Sequence, residues 1–139
     1  MLEITRDKID VDAVTQSAYA NTSGAVVTFL GTVRQDRDGK KLVTLEYDAY
    51  PEMALKKMEQ VCDEIHERWP ADSISIVHRF GPMKVGEVSV AIAVSCPHRQ
   101  QAFETCKYAI DRIKEIVPIW KKEVFGDGSE WVENLGEKI

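Results

Sequence analysis

Two stretches of the chain repeat apolar residues at every third or fourth position, and a proline follows each stretch. This spacing predicts amphipathic helices over about residues 51–69 and 98–117, because residues three or four apart lie on one helix face. The two apolar stripes are Leu55, Met58, Cys62, Ile65 and Trp69, and Ala102, Phe103, Cys106, Ile110 and Ile113. We interpret both stripes as parts of the core.

The segments around these helices are rich in β-branched residues or alternate between apolar and polar residues, as strands do. Strands are predicted over residues 2–5, 25–33, 42–47, 73–78, 88–94, 119–125 and 130–132, with a further helix from about residue 10 to residue 20. Long runs of alternating strands and helices are absent, which argues against a doubly wound parallel sheet. The order predicts one α+β domain over residues 1–139, with a mainly antiparallel sheet and two long amphipathic helices.

Three local features refine this prediction. Gly31, near the end of its strand, predicts a bulge or a close approach of the backbone. Residues 88–94 alternate large with small side chains, which predicts a strand covered on both faces, with a helix close to the small face. Gly81-Pro82 is expected to end the strand over 73–78, and the polar residues 35–41 are expected to form a loop.

Charge and composition exclude several classes of protein. The formal net charge of −5 disfavours nucleic acid as a partner. No apolar run reaches transmembrane length and the first residues lack a signal-peptide core, so we expect a cytoplasmic protein without membrane contact. The three cysteines lack C-x-x-C spacing and the three histidines lack a metal-binding arrangement, so no disulfide framework, metal site or cofactor is predicted.

Basic residues lie where two predicted elements begin or end. Arg34 follows a predicted strand, where a guanidinium can bind a phosphate or carboxylate; the alternative is a solvated surface arginine. His98 and Arg99 begin the second long helix, where free N–H groups and the helix dipole favour an anion. The alternative there is a capping histidine beside a surface arginine.

Two lysines come near each other in sequence at the end of the second long helix. Lys114 lies in its last turns, and strand alternation after Pro118 places Lys121 on the same face as Glu123. Lysines held in one site can act as acid, base or nucleophile, and Glu123 can hold Lys121 in place. The alternative is that the helix dipole alone favours Lys114 at a C-terminus.

Several short motifs occur in a fixed order between about residue 24 and residue 132. They are Gly31-Thr32-Val33-Arg34, Leu45-Glu46-Tyr47, His78-Arg79-Phe80-Gly81, His98-Arg99, Ala102-Phe103, Pro118-Ile119-Trp120-Lys121-Lys122-Glu123 and Trp131-Val132. In this order and spacing they resemble the MoaE family, the large catalytic subunits of molybdopterin synthase. The block that begins at Pro118 is the most specific.

The resemblance implies an α/β-hammerhead fold and a homodimer that binds one ubiquitin-like small subunit at each end, which makes a heterotetramer. It implies a sulfurtransferase of molybdenum cofactor biosynthesis, with cyclic pyranopterin monophosphate as the substrate. Two sulfurs would come from the C-terminal Gly-Gly thiocarboxylate of the small subunit and form the dithiolene of molybdopterin.

The resemblance also implies roles for individual residues. Lys114 and Lys121 match the catalytic lysines of the family. The substrate-binding set implied by position is Thr32, Val33, Arg34, His98, Arg99, Lys114, Lys121, Lys122 and Glu123. After Trp131-Val132, where some members carry an arginine, Lys138 is the only basic residue.

Helix geometry adds a prediction about assembly. His98 and Lys114 lie at opposite ends of one predicted helix, and a rise of 1.5 Å per residue separates them by about 24 Å. A small pterin cannot touch both residues in one chain. We therefore predict a pocket shared between two protomers, with His98 and Arg99 coming from the second.

Two other functions stay open at the level of sequence. A non-catalytic dimeric module that binds a phosphorylated metabolite would keep the anion-binding residues without needing both lysines. A cysteine-dependent sulfurtransferase would use Cys96, which ends a predicted strand just before His98-Arg99. Cys62 and Cys106 lie on the apolar faces of predicted helices and are interpreted as core residues.

Overall fold

A computed structural model describes residues 1–37 and 39–134, except for the side chains at positions 36, 37, 40, 131, 133 and 134. Lys138 lies outside the described residues. The described elements are β1 (Leu2–Thr5), α1 (Val11–Ser17), β2 (Ala25–Thr32), β3 (Asp36–Arg37), β4 (Lys40–Ala49), α2 (Pro51–Arg68), β5 (Ser73–Arg79), β6 (Gly81–Met83), β7 (Val88–Cys96), α3 (Arg99–Ile116), β8 (Ile119–Phe125) and β9 (Glu130–Asn134). This order confirms the predicted α+β class.

Two short strands were not predicted. β3 forms inside the expected loop 35–41, where it pairs with the start of β4. Gly81 ends β5 as expected, but β6 follows at once and pairs with the middle of β4. The φ of Gly81 is +94°, a conformation that side chains rarely adopt, so glycine lets the chain turn from one sheet into the other.

The strands form two sheets. In the first sheet the strand order is β1-β5-β7-β2, and in the second it is β3-β4-β8-β9, with β6 also paired to β4. β1 and β5 run parallel, and the other pairs of described strands are antiparallel. The mainly antiparallel arrangement is therefore confirmed, although it is divided between two sheets.

β7 lies in the interior of the first sheet and is covered on both faces. Its large residues, including Ile92 and Val94, pack into a core with residues of α2 and α3. Its small residues Ala91 and Ala93 pack against Val14 of α1. The prediction of a helix close to the small face is confirmed, because alanines leave room for the α1 backbone to approach.

The apolar stripes of α2 and α3 are largely buried, with one exception. The most enclosed side chains of α2 include Met58 and Ile65, and those of α3 include Ala102 and Ile113. Phe103 is 62% exposed, so its assignment to the core stripe was wrong. It follows Ala102 directly, and successive helical residues point about 100° apart, so both cannot face the core.

A polar cluster fixes α3 against α2. The Glu64 carboxylate on α2 accepts hydrogen bonds from Tyr108 Oη at 2.6 Å and from Arg112 Nε at 2.8 Å, both on α3. The hydrogen bond from Arg112 lowers the pKa of Glu64 to about 2. The carboxylate therefore stays ionised well into the acidic range, and its hydrogen bonds to α3 persist over the same range. No helix in the described part of the chain is long and apolar enough to cross a membrane.

Candidate functional site

A cavity of about 330 Å³ opens where the two sheets meet beneath the C-terminal half of α3. Its lining comes from β2 and the segment after it, from β4, β5 and β7, and from α3 and β8. A volume of this size suits a small molecule rather than a macromolecular surface. The cavity brings together six of the predicted site residues: Thr32, Val33, Arg34, Lys114, Lys121 and Glu123.

A β-bulge directs the end of β2 toward the cavity. The pairing with β7 shifts register between Gly31 and Thr32, and Ser89 is the extra residue on the partner strand. The Ser89 hydroxyl donates a hydrogen bond of 3.2 Å to the carbonyl oxygen of Gly31. A Cβ at Gly31 would lie 2.6 Å from Cγ1 of Val90. Both the bulge and the close approach predicted at Gly31 are confirmed.

The segment after β2 is held by the turn between β6 and β7. Val33 donates a backbone hydrogen bond to the Glu87 oxygen at 3.0 Å and accepts one from Gly86 at 2.8 Å. The Glu87 carboxylate in turn lies 2.9 Å from Arg79 Nη1 and accepts from the Lys84 backbone N–H at 2.7 Å. Val33 is thus buried and fixed, which leaves the next residue, Arg34, exposed at the cavity rim.

The two lysines reach the cavity from α3 and β8. Pro118 follows the end of α3, and Lys114 lies in the last helical turn with its side chain exposed. On β8, Lys121 and Glu123 share the inward face, as predicted, with 3.6 Å between Lys121 Nζ and Glu123 Oε1. Glu123 is only 5% exposed, and a carboxylate so buried needs a cation nearby. Glu123 therefore holds Lys121 toward the cavity.

The charges around the cavity favour an anion. Arg34 and Lys114 form no ion pair with any carboxylate among the described residues, and Lys121 adds a third cation. Glu123 is the single carboxylate among the described lining residues. Three cations against one carboxylate leave a locally positive site on an acidic protein, which can attract and clamp a phosphate or carboxylate.

His78 also lines the cavity, although its motif in the sequence did not indicate a role in the site. Its Nδ1–H donates a hydrogen bond of 2.8 Å to the Arg79 carbonyl, and its ring meets the Tyr47 ring edge-on at 5.3 Å. Burial lowers the pKa of His78 to about 4, so its ring is neutral near pH 7. The sequence feature that could have indicated this position is strand alternation, which places His78 on the inward face of β5 with Ile76.

His98, Arg99 and Lys122 lie outside this cavity. His98 precedes α3 and Arg99 is its first residue, whereas Lys114 lies in its last turn, so most of the 18-residue helix separates both from Lys114. Lys122 points to the opposite face of β8, where it lies 3.8 Å from Glu130. Strand alternation explains the position of Lys122, because its neighbours Lys121 and Glu123 take the inward face.

The start of α3 is itself suited to an anion. His98 makes no side-chain capping hydrogen bond, and the first turn contains no acidic residue. The free N–H groups and the positive end of the helix dipole are therefore left without an acidic partner in that turn, beside the exposed Arg99.

The cysteines are poor candidates for chemistry. Cys96 is fully buried, and its Sγ lies 3.9 Å from Thr105 Oγ1. Burial raises the pKa of Cys96, and it raises the pKa values of Cys62 and Cys106 to about 11. Thiols of this kind are protonated and weakly nucleophilic near neutral pH. The described residues contain no cluster of three or more His, Cys, Asp or Glu side chains that could hold a metal ion.

Comparison with known proteins gives a consistent result. The model of the family described as "MoaE protein" matches residues 4–116. The chain is 47% identical over 130 residues to a molybdopterin synthase catalytic subunit from Bacillus subtilis, an alignment that covers 94% of this chain and 83% of the relative. It is 50% identical over 129 residues to the subunit of that name from Staphylococcus aureus strain COL, covering 93% and 87%.

The fold agrees with a solved structure. The crystal structure of molybdopterin synthase from Staphylococcus aureus superposes with a TM-score of 0.89 at 46% sequence identity. The superposition covers 94% of this chain and 95% of that one. The predicted fold class and the resemblance in sequence are both confirmed.

Proposed function

This chain belongs to the MoaE family, and from that membership we propose that it is the catalytic subunit of a molybdopterin synthase. It transfers two sulfurs to cyclic pyranopterin monophosphate and so forms the dithiolene of molybdopterin. The observation that carries this proposal is the cavity in which Arg34, Lys114 and Lys121 surround space for a small anion.

The substrate phosphate is held from two sides. Arg34 binds it at the rim of the cavity. His98 and Arg99 of a second copy of the chain complete the clamp, because about 24 Å of helix separates them from Lys114 within one chain. The uncapped start of α3 supports this role, since its N–H groups favour an anion beside Arg99.

The two lysines serve the chemical steps. Attack on a thiocarboxylate carbonyl, or opening of the cyclic phosphate, develops negative charge on oxygen, which a nearby ammonium stabilises. Lys114 and Lys121 also supply and remove protons during these steps. Glu123 orients Lys121 across the 3.6 Å between the two charged groups.

The sulfur enters on a partner protein. A ubiquitin-like small subunit inserts its C-terminal Gly-Gly thiocarboxylate into the cavity, and one small subunit at each end of the homodimer makes a heterotetramer. No cysteine of this chain is required, which agrees with the complete burial of Cys96 and the raised pKa of its thiol. Loss of sulfur transfer in a folded Cys96→Ala variant would contradict this part of the proposal.

The function is tested by single-turnover conversion of cyclic pyranopterin monophosphate with thiocarboxylated small subunit. We expect dithiolene product from the wild-type chain and a loss of about 100-fold or more in the rate from Lys114→Ala. Lys107→Ala is the matched control, because Lys107 lies on the same helix but pairs with Asp111 outside the cavity.

Either of two results would overturn this proposal. If the wild-type chain binds both ligands but forms no product, it is a binding module for a phosphorylated metabolite. If Lys114→Ala and Lys107→Ala both retain the wild-type rate, the central lysine has been assigned wrongly.

A further inference from the structure

The imidazole of His78 is fixed in one tautomer by its surroundings. Nδ1 lies 2.8 Å from the carbonyl oxygen of Arg79. A carbonyl oxygen can only accept a hydrogen bond, so Nδ1 must carry the proton. In a neutral ring the other nitrogen, Nε2, is then a bare acceptor.

This acceptor has no partner among the described residues and keeps access to the cavity. The enclosed side-chain polar atoms that lack a partner in the described chain are Ser95 Oγ and Gln101 Oε1. Nε2 of His78 also lacks a hydrogen-bond partner among the described residues, but it does not belong to this enclosed set. The Nε2 atom is therefore not fully enclosed by the chain. His78 is 5% exposed and lines the cavity, so we infer that the accessible part of its ring, with Nε2, faces the space that a ligand would fill.

The position of the ring is well determined. The Tyr47 ring packs edge-on against it with an interplanar angle of 78°. Tyr47 is paired across the sheet with Lys121, so the histidine lies beside the strand that carries a cavity lysine. His78 is buried while Arg34 and Lys114 are exposed, so the neutral acceptor is deep in the cavity and the cations are at its rim.

A ligand that fills this space without donating to Nε2 leaves a desolvated acceptor unsatisfied, which costs free energy, whereas a ligand that donates to Nε2 avoids that cost. Burial also lowers the pKa of His78 to about 4, which keeps the ring neutral under ordinary conditions. A protonated ring would instead present a second donor and would add to the positive charge of the site.

We propose that His78 determines specificity by accepting, at Nε2, a hydrogen bond from an N–H or O–H group on the ring system of the ligand. The cavity then recognises two features of one molecule: an anionic group at the rim and a hydrogen-bond donor in its depth. This inference rests on the proposed function, because it takes cyclic pyranopterin monophosphate as the ligand that carries both features.

The direct test is ¹⁵N NMR of the wild-type protein with labelled histidine, which does not depend on the folding of a variant. The ligand-free spectrum is expected to show a protonated Nδ1 and an unprotonated Nε2 for His78. Adding cyclic pyranopterin monophosphate is expected to shift the Nε2 resonance in the direction of hydrogen bonding. Inorganic phosphate, which lacks the ring system and is expected to bind the cations at the rim, is expected to leave it unchanged.

Binding to variants gives a second test. His78→Phe keeps an aromatic ring but removes the Nε2 acceptor together with the Nδ1–H donor, and it is expected to weaken binding of the pyranopterin about 10- to 100-fold while binding of inorganic phosphate is unchanged. His78→Gln, which can present an amide oxygen, is expected to lose less. Equal losses for both ligands would indicate a structural defect and would overturn the inference.

The outcomes separate this inference from the proposed function. If the pyranopterin is converted but the Nε2 resonance does not move, the role of His78 is wrong and the function stands. If inorganic phosphate binds but the pyranopterin does not, the proposed function fails and this inference fails with it.

Discussion

Two buried ionisable residues face the same cavity, and their surroundings differ. Glu123 has the ammonium of Lys121 at 3.6 Å. The hydrogen bond of His78 is with a neutral carbonyl and its ring contact is with a neutral ring, and desolvation by burial lowers its pKa to about 4. The charge of one residue is compensated in the folded chain, and the other residue stays uncharged.

This difference predicts how stability depends on pH. An unfolded histidine has a pKa near 6.5, so as pH falls below 7 the unfolded chain binds a proton that folded His78 does not. The contribution of His78 is therefore present above pH 6.5 and is lost as pH falls toward 4. We expect the free energy of unfolding to fall by about 2 kcal/mol from this residue between pH 7 and pH 5.

Urea unfolding of the wild-type chain and of His78→Gln at these two pH values measures that contribution. The exposed His66 and His98 are common to both chains, so their effects cancel in the comparison. An equal fall in both chains would show that His78 does not resist protonation in the folded state.

At the scale of single residues, the sequence was sufficient to predict that the three cations belong to a site, but it was insufficient to predict that His78 does. The ends of strands and helices can be located from the sequence, and they predict the positions of the cations. Arg34 follows a strand, Lys114 lies near the end of a helix, and Lys121 follows Pro118. Alternation placed His78 on the inward face of β5. It could not show whether that face meets packed core or open space, because this depends on how the second sheet joins the first.

At the scale of elements, the site depends on how segments are held together. α3 carries Lys114 and is fixed to α2 through Glu64, and the Val33 segment is fixed by the turn that contains Glu87. The helix bounds followed from the apolar stripes and prolines. Phe103 was misplaced because a three-or-four spacing allows either of two adjacent residues, and β6 was missed because three residues carry too little alternation to detect.

The arrangement of the turn predicts that Glu87 positions Arg34 through Val33. Glu87→Ala removes the acceptor for Arg79 and for the Lys84 N–H, so the turn loosens. We expect the KM for the pyranopterin to rise on the order of 10-fold with little change in kcat, because a displaced Arg34 weakens binding of the phosphate. Steady-state kinetics measure KM and kcat separately and so test this expectation.

Two controls make the test of Glu87 specific. Glu87→Gln keeps one acceptor oxygen, so it can retain one of the two hydrogen bonds, and it is expected to restore part of the affinity. Asp111→Ala breaks a salt bridge with Lys107 on the exposed side of α3 and is expected to leave KM unchanged. A fall in kcat with unchanged KM in Glu87→Ala would assign the turn a different role.

At the scale of the whole molecule, the cavity exists because two sheets meet. Sequence patterns gave the α+β class and most strands, but they did not show that β4 pairs with both β6 and β8. That pairing brings His78, Lys121 and Glu123 around one space. By contrast, the length of α3 was readable from sequence, and it keeps Arg99 and Lys114 at opposite ends of the helix.

The most direct measurement is product formation by a co-expressed mixture of Arg99→Ala and Lys114→Ala chains, each of which is expected to be inactive alone. If the site uses Arg99 from one copy and Lys114 from the other, a mixed dimer contains one intact site and one site with both changes. Random pairing then restores about one quarter of the wild-type dithiolene yield. Recovery near that level is the predicted result, and a mixture no more active than either variant alone would contradict a site built from two chains.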